Sequence, residues 1–136
     1  MVVALAAYLI EAGNSPRDIT VLATYIGQKR LIERVGLPRG VECHTVDRYQ
    51  GDENQVVILS LVRSNTKKDV GFLRARSRSC VMLSRARRGL IVVGNSELMS
   101  TSGGAYWKDV LGMVKKIAAF REAHGVGSDV RGLLGR

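Results

Sequence analysis

The sequence is short of several residue types, and each shortage excludes a class of protein or of site. It has two cysteines and two histidines in 136 residues, and neither type stands at the spacing of zinc ligands. Both cysteines lie within apolar runs, so we expect reduced, buried thiols, as in an intracellular protein of the cytoplasm or nucleus. No apolar run has the length of a membrane span, and the apolar opening lacks the basic start of a signal peptide, so no membrane partner is expected.

Two parts of a nucleotide-hydrolysing site are also missing. The sequence has no Gly-x-x-x-x-Gly-Lys-Ser/Thr loop, whose backbone N–H groups would hold the phosphates of a nucleotide. It also has no Asp-Glu pair at the end of an apolar strand to hold magnesium. We therefore do not expect this chain to hydrolyse ATP by itself.

Acidic residues are scarce relative to basic ones. The chain has 21 Lys and Arg against 12 Asp and Glu, a formal net charge of +9. Residues 63–88 hold nine of the basic residues and one acid, Asp69, so this segment alone carries +8. A basic segment this concentrated favours a polyphosphate partner, although a solvated basic face without a function is the alternative.

The apolar pattern predicts alternating helices and strands. Helices are expected at 1–12, 27–35, 76–88 and 105–124, and strands at 19–25, 41–46, 56–62 and 90–93. Polar loops are expected at 63–73 and 100–104. Strands separated by helices predict an α/β fold, with a mainly parallel central sheet between helices. We assign residues 1–124 to one domain and expect the Gly-rich residues 125–136 to form a flexible tail.

Polar clusters follow the predicted strands, at residues 25–28, 47–53 and 63–65. Three arginines stand at the end of the helix expected at 76–88. In parallel sheets ligands bind beyond the carboxyl ends of the strands, so we expect all these groups on one rim of the sheet.

The residue types in these clusters suit a nucleotide. Gly51 lets the backbone approach a ligand closely because it has no side chain. Glu53 can accept a hydrogen bond from a ribose hydroxyl. Arg85 has the planar, permanently charged group that stabilises charge on a transferring phosphoryl group.

The order and spacing of these motifs resemble those of the second RecA-like domain of superfamily 1 helicases. The resemblance extends to the RNA helicases of nonsense-mediated decay and to helicase-like proteins with NFX-type zinc fingers. It covers roughly residues 1–120 and implies a three-layer α/β/α RecA-like fold. The runs that carry it are ATYIGQ at 23–28, VDRYQGDE at 46–53, ILSLVRSN at 58–65, GFL at 71–73, VMLSRAR at 81–87 and VVGN at 92–95.

The resemblance implies a nucleotide side and a nucleic-acid side. Gln50, Gly51 and Glu53 would lie near ATP, with Glu53 on the ribose, and Arg85 would be the arginine finger on the γ-phosphate. Mg²⁺ would be held by the first RecA-like domain, a partner whose motifs this chain lacks. The nucleic-acid side would comprise Thr24, Tyr25, Thr45, Asp47, Arg63 and Asn65.

One departure from the family pattern affects the nucleic-acid side. The family reads Thr-Pro-Tyr where this chain reads Ala23-Thr24-Tyr25. The hydroxyl that would touch a phosphate is missing at Ala23, and Thr24 is the residue that can replace it.

Each assignment has a structural alternative. Asp47 is a candidate turn cap, Glu53 a candidate exposed loop acid and Arg85 a candidate surface charge. Arg87 and Arg88 suit salt bridges or phosphate contacts. The leading hypothesis is the C-terminal motor domain, or a fragment, of an ATP-dependent RNA helicase that binds single-stranded nucleic acid. The alternative is a stand-alone, non-catalytic module that binds nucleic acid or protein.

Overall fold

The structure is a computed structural model that describes residues 1–61, 75–102 and 104–123. The chain divides into two compact units, Met1–Asn95 and Ser96–Arg136, which are described separately. The predicted loop at 63–73 and the predicted tail at 125–136 lie outside the described residues.

The first unit alternates helices and strands as the apolar pattern predicts. Two short 3₁₀ helices, Pro16–Asp18 and Val46–Tyr49, lie between them. The helices are α1 (Val2–Glu11), α2 (Ile26–Val35) and α3 (Arg76–Leu83), and the strands are β1 (Ile19–Ala23), β2 (Glu42–Thr45), β3 (Asn54–Ser60) and β4 (Ala86–Val93).

The four strands form one parallel sheet in the order β2-β1-β3-β4. Val21 of β1 is level with Cys43 of β2 and with Ile58 of β3. Because all strands point the same way, the sheet has an amino edge, where they begin, and a carboxyl edge, where they end. The predicted α/β fold with a parallel sheet flanked by helices is confirmed.

The sheet buries apolar side chains on both faces. On one face Leu5 of α1 and Ile32 of α2 join Val21 and Ile58 in the main core. Thr20 points to the other face, because neighbouring residues of a strand alternate. The hydroxyl of Tyr49 lies 3.4 Å from the Thr20 hydroxyl, so the 3₁₀ helix Val46–Tyr49 crosses this second face.

The third helix differs from the prediction. It ends at Leu83, and β4 begins at Ala86, so the segment expected to be helical up to residue 88 contains a turn and the start of a strand. The reason is a long-range pairing, since Ala86 pairs with Asn54 and the Asn54 N–H donates to the Arg85 carbonyl oxygen at 3.1 Å. Strand pairing overrides the good helix propensity of arginine here.

The second unit contains α4 (Ser96–Ser102) and α5 (Gly104–Ala123). A helix therefore occupies most of the stretch where a loop was expected at 100–104. Trp107 is buried near the start of α5. Within the described ranges, no helix combines the length and the apolar character that crossing a membrane requires.

Candidate functional site

The predicted site residues divide between the two edges of the sheet. Thr24 follows β1 and Thr45 ends β2, so both lie at the carboxyl edge. Gln50, Gly51 and Glu53 immediately precede β3, and Arg85 immediately precedes β4, which places them at the amino edge. The expectation of one shared rim is therefore wrong, because residues 46–53 carry the chain from the end of β2 to the start of β3.

Arg85 is held at the amino edge by two main-chain oxygens. Its Nε donates to the Val81 carbonyl at 2.9 Å, and its Nη1 donates to the Asp52 carbonyl at 3.1 Å. These bonds tie the end of α3 to the loop before β3. The remaining nitrogen, Nη2, makes no hydrogen bond with the part of the chain that the structure describes, so it is available to an anion.

Asn54 connects this loop to the rest of the sheet, and the sequence did not single it out. Its Nδ2 donates to the Thr20 hydroxyl and to the Arg17 carbonyl, both at 2.9 Å. Its Oδ1 accepts from the Gln55 N–H at 2.8 Å, and its own N–H bonds to the residue 85 carbonyl. The only sequence signal was an amide at the start of an apolar strand.

Gly51 shapes the loop between the 3₁₀ helix and β3. Its φ of +91° lies in the left-handed region, which side chains other than glycine rarely adopt. A Cβ at this position would meet no atom within 4 Å, so the requirement is conformational rather than steric. The turn exposes Gln50 and Gly51 to solvent, where a ligand can reach them.

Glu53 forms an ion pair with Arg87. Two guanidinium nitrogens, Nε at 2.8 Å and Nη2, both donate to the single oxygen Oε1. Both side chains are about half exposed. The pair agrees with the alternative that Arg87 forms a salt bridge. The contact of Glu53 with a ribose stays a prediction.

At the carboxyl edge, one hydroxyl is buried without a partner. Thr24 is 5% exposed, and its Oγ1 is not hydrogen bonded to any of the described residues. Tyr25 next to it is the N-cap residue of α2. Nearby, Gln28 Nε2 donates to the hydroxyl of the buried Ser60 at 3.1 Å. This edge therefore presents polar groups beside a helix start, which suits a phosphate.

The remaining nucleic-acid candidates are less informative. Thr45 is partly buried, and Asp47 is exposed. The Asp47 carboxylate makes no capping hydrogen bond with the described residues, which goes against the alternative that Asp47 caps a helix or a turn. Arg63 and Asn65 lie outside the described residues.

The electrostatics around β2 involve a cysteine and a histidine. Burial raises the pKa of Cys43 to about 11, and the nearby carboxylate of Glu33 adds to the shift. Cys80 is exposed, so the expectation that both thiols are buried is wrong for this residue. His44 bonds to Glu42 Oε2 at 2.9 Å and stacks on Tyr49 with ring centroids 5.4 Å apart. Among the described residues, no three His, Cys, Asp or Glu side chains form a metal site.

Comparison with known proteins identifies the family. The family model described as AAA domain matches residues 1–97. The chain is 50% identical over 113 residues to the fission yeast protein "Helicase required for RNAi-mediated heterochromatin assembly 1", an alignment that covers 79% of this chain and 11% of the relative. It is 44% identical over 102 residues to mouse "NFX1-type zinc finger-containing protein 1", covering 73% of this chain and 5% of the relative.

A third relative carries a DNA helicase name. The chain is 45% identical over 100 residues to the "DNA polymerase alpha-associated DNA helicase A" of Saccharomyces cerevisiae, covering 70% of this chain and 15% of the relative. The chain thus spans between a twentieth and about a seventh of the length of these three relatives. The motif order, the parallel sheet and these matches agree, and the chain belongs to the AAA domain family as a superfamily 1 helicase-like domain.

Proposed function

We propose that this chain is the C-terminal motor domain of an ATP-dependent RNA helicase. In this role it supplies the arginine finger, Arg85, together with part of the nucleotide site and part of the single-strand site. The proposal rests on one observation above all: Arg85, Gln50, Gly51 and Glu53 lie together at the amino edge, although 31 residues separate Glu53 from Arg85.

The residues at the amino edge fit a nucleoside triphosphate. Nε and Nη1 of Arg85 donate to main-chain carbonyl oxygens, which fix the orientation of the guanidinium group. Its Nη2 makes no hydrogen bond with the described residues, and no described carboxylate pairs with the group, so its positive charge is available to the nucleotide. Gly51 keeps the main chain open, and Glu53 offers acceptor oxygens to a ribose hydroxyl. ATP bound against a first RecA-like domain, which would hold the phosphates and Mg²⁺, would complete the site. In that arrangement Arg85 stabilises the charge on the transferring phosphoryl group.

The carboxyl edge supplies the contacts to a single strand. Thr24, Tyr25, Thr45 and Asp47 lie along it, and we assign the basic charge of residues 63–78 to the phosphates. Affinity from phosphate contacts carries weak sequence preference and a steep salt dependence. RNA is the preferred strand in this proposal by family resemblance, and competition between RNA and DNA of the same sequence tests that choice.

The experiment uses the natural polypeptide that carries this sequence. Arg85→Ala is expected to lower RNA-stimulated ATP hydrolysis by about 10³-fold or more, as the loss of an arginine finger does. RNA affinity should stay within about twofold, because in this proposal Arg85 faces the nucleotide and makes no contact with the RNA phosphates. Arg88→Ala removes the same charge from an exposed position three residues away and should leave hydrolysis unchanged.

Two outcomes contradict the motor proposal. One is a natural polypeptide that hydrolyses no ATP, and the other is full hydrolysis by the Arg85→Ala variant. The same immunoblot that identifies the polypeptide gives its mass, and a band much heavier than the 14.8 kDa of this chain agrees with a two-domain motor.

A second candidate function is a non-catalytic module that binds nucleic acid. The observation in its favour is the net charge of +8 over residues 63–88 in a chain without a phosphate-binding loop. For such a module Arg85→Ala and Arg88→Ala should weaken RNA binding equally, in proportion to charge. A sole band near 15 kDa together with equal weakening would favour this function over the motor.

A further inference from the structure

A β-bulge lies in β4 next to the amino edge. Asn54 pairs with Ala86 and Val56 pairs with Gly89, so the single residue Gln55 of β3 faces two residues of β4, Arg87 and Arg88. Bulges of this kind bend a strand and change the direction of the side chains they carry. They occur often beside active sites.

The bulge is where Arg87 meets Glu53. Both Nε and Nη2 of Arg87 donate to Oε1 of Glu53, while Oε2 accepts no hydrogen bond from the described residues. The ion pair therefore occupies one carboxylate oxygen and leaves the other available. A ligand hydroxyl can bind to Oε2 without displacing Arg87.

We propose that Arg87 is a positioning residue that holds the Glu53 carboxylate in place for the ribose of the nucleotide. This inference rests on the proposed function, which places Glu53 beside the nucleotide. A half-exposed glutamate samples several rotamers, and ordering it when the ligand binds would cost affinity. The Arg87 guanidinium orders the carboxylate beforehand, and it thereby acts on nucleotide selection through Glu53.

The geometry makes arginine specific for this role. Its planar group presents Nε and Nη2 side by side, and both reach Oε1. A lysine would keep the charge but present only a point contact. Arg88, the other residue of the bulge, is exposed and has the same charge, so it serves as the matched control.

The test measures kcat/KM for ATP and for its 2′-deoxy and 3′-deoxy analogues, using the natural polypeptide with single-stranded RNA. Glu53→Ala should abolish the discrimination against at least one deoxy analogue. Arg87→Gln should reduce that discrimination several-fold, mainly through KM, because the anchors of Arg85 are untouched. Arg87→Lys should fall between Arg87→Gln and the natural protein. Arg88→Gln should discriminate as the natural protein does.

A double variant separates positioning from a general loss of charge. If Arg87 acts through Glu53, then Glu53→Ala with Arg87→Gln should have the same kcat/KM for ATP as Glu53→Ala alone. Three results would overturn the inference while leaving the motor proposal standing. The first is that the two substitutions lower kcat/KM for ATP additively. The others are an unchanged discrimination ratio in Arg87→Gln, or a drop of that ratio in Arg88→Gln as large as in Arg87→Gln. An unchanged ratio in Glu53→Ala would overturn both the inference and the assigned role of Glu53. Full ATP hydrolysis by the Arg85→Ala variant would instead count against the motor proposal itself.

Discussion

Two buried threonines four residues apart show how differently the two edges of the sheet are built. Thr20 lies near the amino edge, and its hydroxyl accepts a hydrogen bond from Asn54 Nδ2 at 2.9 Å. Thr24 lies at the carboxyl edge with its hydroxyl buried and unpaired among the described residues. At the amino edge the buried hydroxyl is therefore hydrogen bonded within the protein, whereas at the carboxyl edge a buried hydroxyl has no partner among the described residues.

The unpaired hydroxyl has an energetic cost. A buried polar group without a hydrogen bond costs about 1–3 kcal/mol. A phosphate oxygen bound at the start of α2 would satisfy Thr24 and offset that cost, which is the role that the proposed function gives to this edge.

The largest effect is expected from breaking the amino edge at Asn54. Asn54→Ala removes both Nδ2 hydrogen bonds and leaves the buried Thr20 hydroxyl with only the Tyr49 hydroxyl, 3.4 Å away. The free energy of unfolding should fall by about 2 kcal/mol, as measured by urea denaturation followed by circular dichroism. Gln50→Ala, at an exposed position, should change it by less than about 0.5 kcal/mol. A similarly small change for Asn54→Ala would show that the edge does not depend on this network.

Replacing each threonine by valine should give effects of opposite sign. Thr20→Val leaves the Asn54 amide short of a partner and should lower the free energy of unfolding by about 1 kcal/mol. Thr24→Val removes the unpaired hydroxyl at nearly constant volume and should raise it by a similar amount. Thr24→Val should also weaken RNA binding on the order of tenfold, by loss of a hydrogen bond to a charged group, while Thr20→Val leaves binding unchanged. Destabilisation by Thr24→Val would mean that its hydroxyl is already paired.

The smallest effect comes from two glycines, one near each edge. Gly51→Ala places a side chain at a φ of +91° and should lower the free energy of unfolding by about 1 kcal/mol. Gly27 lies in α2, and a Cβ at this position would meet no atom within 4 Å. Gly27→Ala, in the first turn of α2, should raise the free energy of unfolding by at most about 0.5 kcal/mol through helix propensity. If Gly51→Ala and Gly27→Ala changed the melting temperature by the same amount, the turn at Gly51 would be shown to adjust without strain.

The sequence predicts the fold well where the apolar pattern is local. The continuous apolar run that became β3 and the turn signals around it were enough to predict a buried parallel strand, because such strands cannot show polar alternation. The end of α3 was not predictable in the same way. Arg87 and Arg88 favour a helix by propensity, and only the distant partner Asn54 places them in a strand.

The candidate site was predictable in its members but not in its arrangement. The motifs singled out Glu53 and Arg85, which the structure brings to one edge. Their separation from Thr24 follows from the parallel direction of the strands, because Thr24 comes after β1 whereas Glu53 and Arg85 come before β3 and β4. The start of β4 depends on the pairing of Ala86 with the distant Asn54, which no local pattern in the sequence encodes. The ion pair of Glu53 with Arg87 depends on the register shift in β4, which is equally long-range. The roles of these residues toward ATP and RNA stay predictions.

The crossing between the two edges also sets a length. Thr45 and Ser60 are level across Ala23, so the chain from Thr45 to Asn54 must descend the length of β3, about 20 Å at ~3.3 Å per residue, and cross two strand spacings of ~4.8 Å. That path is about 22 Å. Eight residues lie between Thr45 and Asn54, and four of them form the 3₁₀ helix Val46–Tyr49, which rises only about 2 Å per residue. A turn in which the Asp52 N–H donates to the Tyr49 carbonyl oxygen takes up further length. The dimensions of the sheet therefore set a lower bound on the number of residues between Thr45 and Asn54.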